Sequence, residues 1–415
     1  MKQLLLVIAV ATCYLSHAQS WIQLPDFLGT QRDDGTAFVI NNKAYCTTGL
    51  DIYGCTNNGY VFDGATETWS VIASLPAGKE RQYAAGFSSN NLGYIMGGIN
   101  CSNLRLNDFW QYSPTTNSWT ALPNFPGMGR YGTSNFIIKN KAYIMGGTLA
   151  NNTLSNQVWE YNFTSTVWTQ KNNLPLNAMH RGSAFAIDTL GYVCYGIDNN
   201  NAFNHYIYTY NYITDTWRRV SNLVMPSRFY IGTAVCSNKA ALYGGVDSLT
   251  TISNNYTIFN PADSSLTNLL GIPSAARKGG MAFCINNIFY ITTGYSTANL
   301  RIKETWKNTD LVGIKELEIL NDKLKIYPNP ANEILNVKWD PSTGLGQGMI
   351  NVNTPIYNLK FKIYNSLGQM IREEEITFKE NIASINTKEL QTGVYYLKLK
   401  TENGLTISKR FVIAR

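Results

Sequence analysis

Arginine recurs at Arg32, Arg81, Arg130, Arg181, Arg228 and Arg277, in steps of 49, 49, 51, 47 and 49 residues. Each opens an apolar run, as in Arg81-Gln82-Tyr83-Ala84-Ala85-Gly86-Phe87. A guanidinium is planar, permanently charged and carries five donors, so several in one ring would bind carboxylates, including those of sugar acids. Asparagine-rich segments recur with the same rhythm and include Asn100, Asn151 and Asn199, while Tyr83, Tyr131 and Tyr230 lie beside the arginines. Amides and phenols in this number suit sugar hydroxyls. The scaffold has its own claim on the same residues. A repeated arginine can pair with backbone carbonyls and neighbouring units, and repetition favours that use; asparagine is a common turn former. Asp33 and Asp34 beside Arg32, and Glu80 beside Arg81, are the candidates for acid or base chemistry. Carboxylates next to arginine usually stay ionised and structural.

These residues must be positioned by a repeat. Gly49, Gly98, Gly147, Gly196, Gly245 and Gly294 are spaced by 49 residues, and a fixed period near 50 marks one supersecondary unit copied and stacked. Each glycine closes an apolar strand, as in Tyr94-Ile95-Met96-Gly97-Gly98, preceded by tight-turn asparagines such as Asn90-Asn91. A variable loop follows, then a third strand such as Asp108 to Tyr112. A fourth strand opens on Trp69, Trp119, Trp168 or Trp217 and runs into Leu75-Pro76, Leu122-Pro123 or Leu174-Pro175. Four short strands fill a unit of this length.

Double glycine, then tyrosine, then tryptophan at this period resembles the Kelch repeat, over Trp21 to about Asp310. The resemblance implies an all-β fold, a six-bladed β-propeller, in which the arginine strand lines the axis and the arginines ring one mouth. Thr48, Tyr195 and Thr293 stand where a first glycine is usual, and Leu266 replaces the fifth tryptophan. The sixth unit ends after Trp306 without its last strand, and Trp21-Ile22-Gln23-Leu24-Pro25 carries that pattern at the other end of the chain. The N-terminal strand is therefore expected to complete the last blade and close the ring. Ligand-binding residues expected at the mouth are the six arginines with Asn100, Asn151 and Asn199. No catalytic residue, metal ligand or cofactor is assigned. His180 and His205 alone fall short of the copper set of the galactose oxidase kind, whereas a sugar-acid isomerase resembling sialic acid mutarotase would use the same mouth.

The period ends at Leu311. Lys325-Ile326-Tyr327-Pro328-Asn329-Pro330, Leu390-Gln391-Thr392-Gly393-Val394-Tyr395 and the basic-aromatic end Ser408 to Ile413 resemble the C-terminal sorting domain of the type IX secretion system. Alternating apolar and polar residues predict a small β-sandwich there. The resemblance implies passage across the outer membrane, removal of this domain, and release or attachment to surface polysaccharide. Trp339 to Asn358 reads as a flexible loop insertion. At the other end, Met1-Lys2-Gln3, an apolar run and Ser16-His17-Ala18 read as a secretory signal.

The expected plan is thus signal peptide 1–18, propeller 19–310, linker 311–324 and sorting domain 325–415. The apolar run at the start is too short to span a bilayer, and no later stretch reads as a transmembrane segment. The net charge of +7 is spread without a basic cluster, which argues against nucleic acid. The expected partners are a carbohydrate or an acidic protein or peptide, and the type IX machinery through residues 325–415. An exported chain can oxidise its cysteines. A Cys55–Cys101 bridge is one possibility, and buried thiols are the expectation for Cys46, Cys194, Cys236 and Cys284.

Overall fold

The computed structural model describes residues 21–220, 223–308, 324–339, 356–365, 369–379, 382–400 and 406–415. The expected signal peptide, most of the expected linker and most of the expected insertion at 339–358 lie outside them. The chain forms two compact units, Met1–Val312 and Gly313–Arg415.

The first unit holds six antiparallel sheets of four strands. In blade 1 these are Thr36–Ile40, Lys43–Thr47, Gly59–Asp63 and Thr68–Ile72, in that order from the axis. The innermost strands of blades 2 to 6 are Ala85–Ser89, Ser134–Ile138, Ser183–Ile187, Gly232–Cys236 and Met281–Ile285. Each packs beside the next, and the sixth packs beside the first, so the ring is closed. Tight hairpins join the two inner strands. Asn41-Asn42, Asn90-Asn91 and Asn286-Asn287 have both central residues at positive φ, the geometry a two-residue turn needs to match strand twist.

Closure comes from the N-terminus. Trp21–Leu24 pairs antiparallel with Thr305–Asn308 and supplies the fourth strand of blade 6. Trp21 is buried against Tyr243, Tyr256 and Phe289, and its indole N–H donates to Leu270 O of blade 5 at 2.7 Å. Trp119 and Trp217 make the same stitch to the preceding blade, through Ala73 O and Asn172 O. The tryptophan register is thus an outer seam between blades.

The glycine motif has a steric reason. Its second residue sits at φ of 87° to 116° in all six blades, and a Cβ on Gly98 would lie 2.8 Å from Gln82 O. Only glycine fits there. The first residue sits near φ 60°, in the left-handed well that other residues tolerate, which is why Thr48, Tyr195 and Thr293 are accepted. The second glycine's N–H donates across to the next blade: Gly49 to Arg81 O, Gly98 to Arg130 O, Gly147 to Met179 O, Gly196 to Arg228 O, Gly245 to Arg277 O and Gly294 to Arg32 O, at 2.7–3.1 Å. These six bonds close on themselves around the ring.

Two disulfides form between neighbouring blades. Cys55–Cys101 joins the loops that follow the glycine motifs of blades 1 and 2, and Cys236–Cys284 joins the innermost strands of blades 5 and 6. The second corrects the expectation of thiols at those positions. The 48-residue separation is about one repeat, so equivalent ends of adjacent inner strands come together. Cys46 and Cys194 are buried thiols.

The second unit is one seven-stranded ladder whose first and last strands, Leu324–Tyr327 and Thr406–Ile413, approach each other, with Ala331 bridging Ile413. It encloses Leu335, Val337, Phe361, Ile363, Leu397 and Phe411, an arrangement compatible with the expected sandwich.

Because the ring is sealed by one short strand, Trp21→Ala should destabilise the propeller by about 3–5 kcal/mol, the cost of emptying a large aromatic site. Denaturant unfolding of the variant against wild type measures it; a change below about 1 kcal/mol would mean the strand does not carry closure.

Candidate functional site

The sequence led to six guanidiniums lining one opening. The structure buries five of them in the blade wall. Arg32, Arg81, Arg130, Arg228 and Arg277 are at most 1% exposed. In each, Nη1 donates to the carbonyl of the first residue of its own blade's glycine motif: Thr48, Gly97, Gly146, Gly244 and Thr293, at 3.0–3.4 Å. The remaining donors reach the third strand or the residues just before it: Asn58 for Arg32, Asp108 for Arg81, Gln157 for Arg130, Thr257 for Arg228 and Glu304 for Arg277. Arg81 and Asp108 form a two-point ion pair, at 2.6 and 2.8 Å. Burial works against the Asp108 charge, but Arg81 prevails and holds its carboxyl below the usual range. Burial alone lowers Arg130 to about 10. These side chains clamp a strained turn whose carbonyls would otherwise be left unpaired.

Arg181 is different. The clamp positions run 32, 81, 130, 179, 228 and 277 in equal steps, and Met179 occupies the fourth. The Tyr195 carbonyl is met there by Asn204 Nδ2, at 3.4 Å. Arg181 lies two residues later, in a second register: Asp34, Tyr83, Gly132, Arg181, Tyr230 and Gly279. All six have φ between 51° and 65°. Their amides form a closed cycle in which each N–H donates to the preceding blade: Asp34 to Gly279 O, Tyr83 to Asp34 O, Gly132 to Tyr83 O, Arg181 to Gly132 O, Tyr230 to Arg181 O and Gly279 to Tyr230 O, at 2.8–3.3 Å. This ring is the hub. Between the clamp arginine and the innermost strand the chain turns through it, so the strand begins later than the sequence pattern implied.

The four hub residues with side chains fill the axis. Tyr83 of blade 2 and Tyr230 of blade 5 come from opposite sides, yet their rings are 6.0 Å apart. The Arg181 guanidinium lies 4.0 Å from one ring centre and 3.8 Å from the other. The two glycines give the others room: a Cβ at Gly279 would meet Asp34 Oδ1 at 2.3 Å, and one at Gly132 would meet Arg181 Cγ at 3.0 Å. Beyond the hub runs a cavity of about 360 Å³ lined by small residues such as Gly35, Ala84, Thr133, Gly182 and Gly280.

The electrostatics of the hub are mixed. Asp34 is buried, and its carboxyl is pushed up to about 8, first by burial and then by the neighbouring Asp33 carboxylate, with Arg181 and Tyr83 opposing. Burial, and then the Asp34 charge, raise the Tyr83 phenol. Asp33 is paired with Arg301, Oδ1 to Nε 2.6 Å. His180 is buried and pulled down to about 3 by burial and Arg181, so it stays neutral, with Nδ1 3.0 Å from Thr148 Oγ1. Among the described residues Arg181 and Lys278 form no ion pair. Lys278 lies over the Tyr230 and Tyr295 rings, and the Arg181 Nε is buried without a partner.

The loops after the glycines rise on the hub side. They spring from bridges such as Asp33 with Leu50, Gln82 with Ile99 and His180 with Ile197. Asn100 Oδ1 accepts from the N–H groups of Ser102 and Leu104, Asn151 Oδ1 from Thr153, and Asn199 Oδ1 from Leu154 of the neighbouring loop. Their carbonyls thus shape the loops, while their amide nitrogens donate to no protein group among the described residues. Among the described residues Glu80 accepts from Gly78 N–H alone, away from the hub register. Asp34 and the hub tyrosines were legible as candidates; Arg181's separate role was signalled by the broken spacing of 51 then 47.

Residues 93–310 match the Attractin/LZTR1 beta-propeller model, which covers more than half of the chain. The chain belongs to the Attractin/LZTR1 beta-propeller family. Residues 325–414 of this propeller protein match the secretion system C-terminal sorting domain. That domain marks the chain for export by type IX secretion. Over 99 residues the propeller is 30% identical to the Kelch-like protein terF of Aspergillus terreus (strain NIH 2624 / FGSC A1156), covering 21% of this chain and 22% of that protein. Over 130 residues it is 30% identical to an N-acetylneuraminate epimerase of Shigella flexneri serotype 5b (strain 8401), covering 30% and 34%. The matches thus span about a third or less of these curated relatives. A solved structure described as "Structure of YjhT" superposes with a TM-score of 0.58 at 17% identity, covering 68% of this chain and 96% of that one, a likeness of fold.

Two outcomes follow from the clamp and the hub. Arg81→Ala should cost about 3–5 kcal/mol, because it removes the two-point partner of the Asp108 carboxylate and the donor to the Gly97 carbonyl, whereas Arg181→Gln should cost about 1 kcal/mol or less; denaturant unfolding separates them. Asp34 has a folded pKa above its unfolded value, so its contribution is fully present below about pH 4 and is lost as pH rises toward 8. Wild type should therefore lose stability relative to Asp34→Asn between pH 5 and pH 8, by up to about 1.4 kcal/mol per unit. Parallel curves for the two proteins would refute a protonated Asp34.

Proposed function

We propose that this exported propeller is a recognition module that binds a carboxylate-bearing ligand, a carbohydrate or an acidic protein segment, over the hub. The observation that carries the reading is Arg181: a guanidinium clamped between two tyrosine faces, without an ion-pair partner among the described residues, at the point where all six blades meet. Its side chain is ordered before a ligand arrives, which lowers the entropy of binding. Lys278 adds charge, Tyr83, Tyr131 and Tyr230 add stacking surface, and the amides of Asn100, Asn151 and Asn199 add donors at the rim. Five arginines serve the scaffold, so the reading rests on the sixth. Type IX export would place this face outside the cell, either free or held at the surface.

A second reading is a sugar-acid isomerase resembling sialic acid mutarotase. It is favoured by the relatives named N-acetylneuraminate epimerase and by a buried Asp34, whose carboxyl is pushed up to about 8 first by burial, in the same hub as Tyr83 and Arg181. In that chemistry Arg181 would hold the sugar carboxylate and Asp34 would donate or accept the proton at the ring oxygen or anomeric hydroxyl.

A glycan array carrying uronic and sialic acids, read with wild type and Arg181→Gln, tests the first reading: at least one acidic glycan should bind and be lost in the variant. For the second, NMR of N-acetylneuraminate should show wild type accelerating exchange of its anomers and Asp34→Asn failing to do so. An inactive wild type ends the isomerase reading.

A further inference from the structure

The loops around the hub are not equivalent. In blades 3 and 4 their tips are polar: Asn151-Asn152 and Asn199-Asn200-Asn201. In the four consecutive blades 5, 6, 1 and 2 they expose aliphatic and aromatic side chains: Leu249, Leu300, Ile52 with Tyr53, and Leu104. Tyr53 is 84% exposed and Leu249 80%. The blade 1 tip is held in place. Asp51 Oδ1 accepts from the Tyr53 and Gly54 N–H groups at 2.7 and 3.1 Å, Asp51 Oδ2 accepts from Thr30, and the Cys55–Cys101 disulfide ties the hairpin to blade 2. A rigid, exposed aromatic next to an aliphatic side chain has the make-up of an interface anchor.

Inside this arc lies cationic surface. Arg105, Arg181 and Lys278 form no ion pair among the described residues. Arg105 reaches only neutral oxygens, Asn103 O and Asn152 Oδ1. An occupant that complements the whole face must bring negative charge for the centre and apolar side chains for one half of the rim. The aliphatic side chains Ile52, Leu104, Leu249 and Leu300 give a sugar hydroxyl nothing to bond, so a purely saccharide occupant leaves this part of the arc unused.

We infer that the hub face binds a polypeptide segment in which acidic residues alternate with large apolar ones, the carboxylates meeting Arg181, Lys278 and Arg105 and the apolar side chains meeting Ile52, Tyr53, Leu249 and Leu300. This deepens the recognition reading above and rests on it. Of the two ligand classes considered there, it selects the polypeptide.

A random peptide library displayed on phage, selected against the full chain, should enrich segments with Asp or Glu flanked by Leu, Ile or Phe. Their affinity should fall about ten-fold or more in Arg181→Gln and in the double variant Tyr53→Ser, Leu249→Ser. Those two positions are exposed loop tips, so the double variant should unfold at the wild-type temperature. Selected peptides that ignore the double variant would overturn the role of the arc and leave the hub reading standing. Failure to enrich acidic peptides, together with Arg181-dependent binding of polygalacturonate, would overturn the polypeptide occupant and leave a carbohydrate. If neither probe binds, both readings fall.

Discussion

The structure depends on two closed cycles of backbone hydrogen bonds that run from blade to blade. One joins the second glycine of each motif to the clamp-position carbonyl of the next blade; the other joins the six hub residues to one another. A ladder bond holds strands within a blade, whereas these cycles cross from each blade to the next and repeat at all six junctions; side-chain bonds such as Thr36 to Ala84 O and Ser134 to Gly182 O, and two disulfides, add to them locally. Each needs a residue at positive φ in every unit, and those conformations are stable only when the surroundings over-determine them. The buried arginines supply that constraint. Each holds the carbonyl at the turn with a charged donor, while its own carbonyl receives the glycine N–H of the preceding blade.

This arrangement decides which charges are available to a ligand. A guanidinium buried in the wall, with its terminal nitrogens engaged by carbonyls, carboxylates, amides or hydroxyls, has little left to offer, however suggestive its place in the sequence. Five arginines are in that condition. Blade 4 departs from the pattern, with Met179 in the clamp and Arg181 in the hub, and so breaks the symmetry of the ring. Asp34, Tyr83 and Tyr230 break it further, while Gly132 and Gly279 leave space over which Asp34 and Arg181 fold. A symmetric scaffold thereby gains a single asymmetric centre. The apolar and asparagine-rich halves of the rim extend that asymmetry outward.

Much of the architecture was legible. Six glycines at one spacing, a tryptophan in the fourth strand and an orphan Trp21-Ile22-Gln23-Leu24-Pro25 strand at the start were enough to expect six sheets and a ring closed by its own N-terminus, because strand count and closure follow from counting pattern units. The candidate site was legible only as a list. Arg32 and Arg181 look alike in sequence, each opening an apolar run a few residues before an inner strand, and nothing local distinguishes a clamp from a plug. The steps of 51 and 47 around Arg181 held the distinction, but their meaning appears only when the neighbouring carbonyls are in place. The Cys236–Cys284 bridge was missed for a related reason: one repeat of separation says that two cysteines share a register, and adjacency of their strands decides whether the sulfurs meet.

Sequence by itself determined the repeat, the blade count, the sealing strand and the sorting domain, since each rests on periodic or local chemistry that every copy repeats. Tertiary structure alone decided which cations lack an ion-pair partner among the described residues, which carboxyl is pushed up by burial and how the axis is filled. Those properties arise where six blades converge, from contacts such as Tyr83 with Tyr230 across the ring, and burial and charge at such a point are set by residues more than a hundred positions apart in the chain.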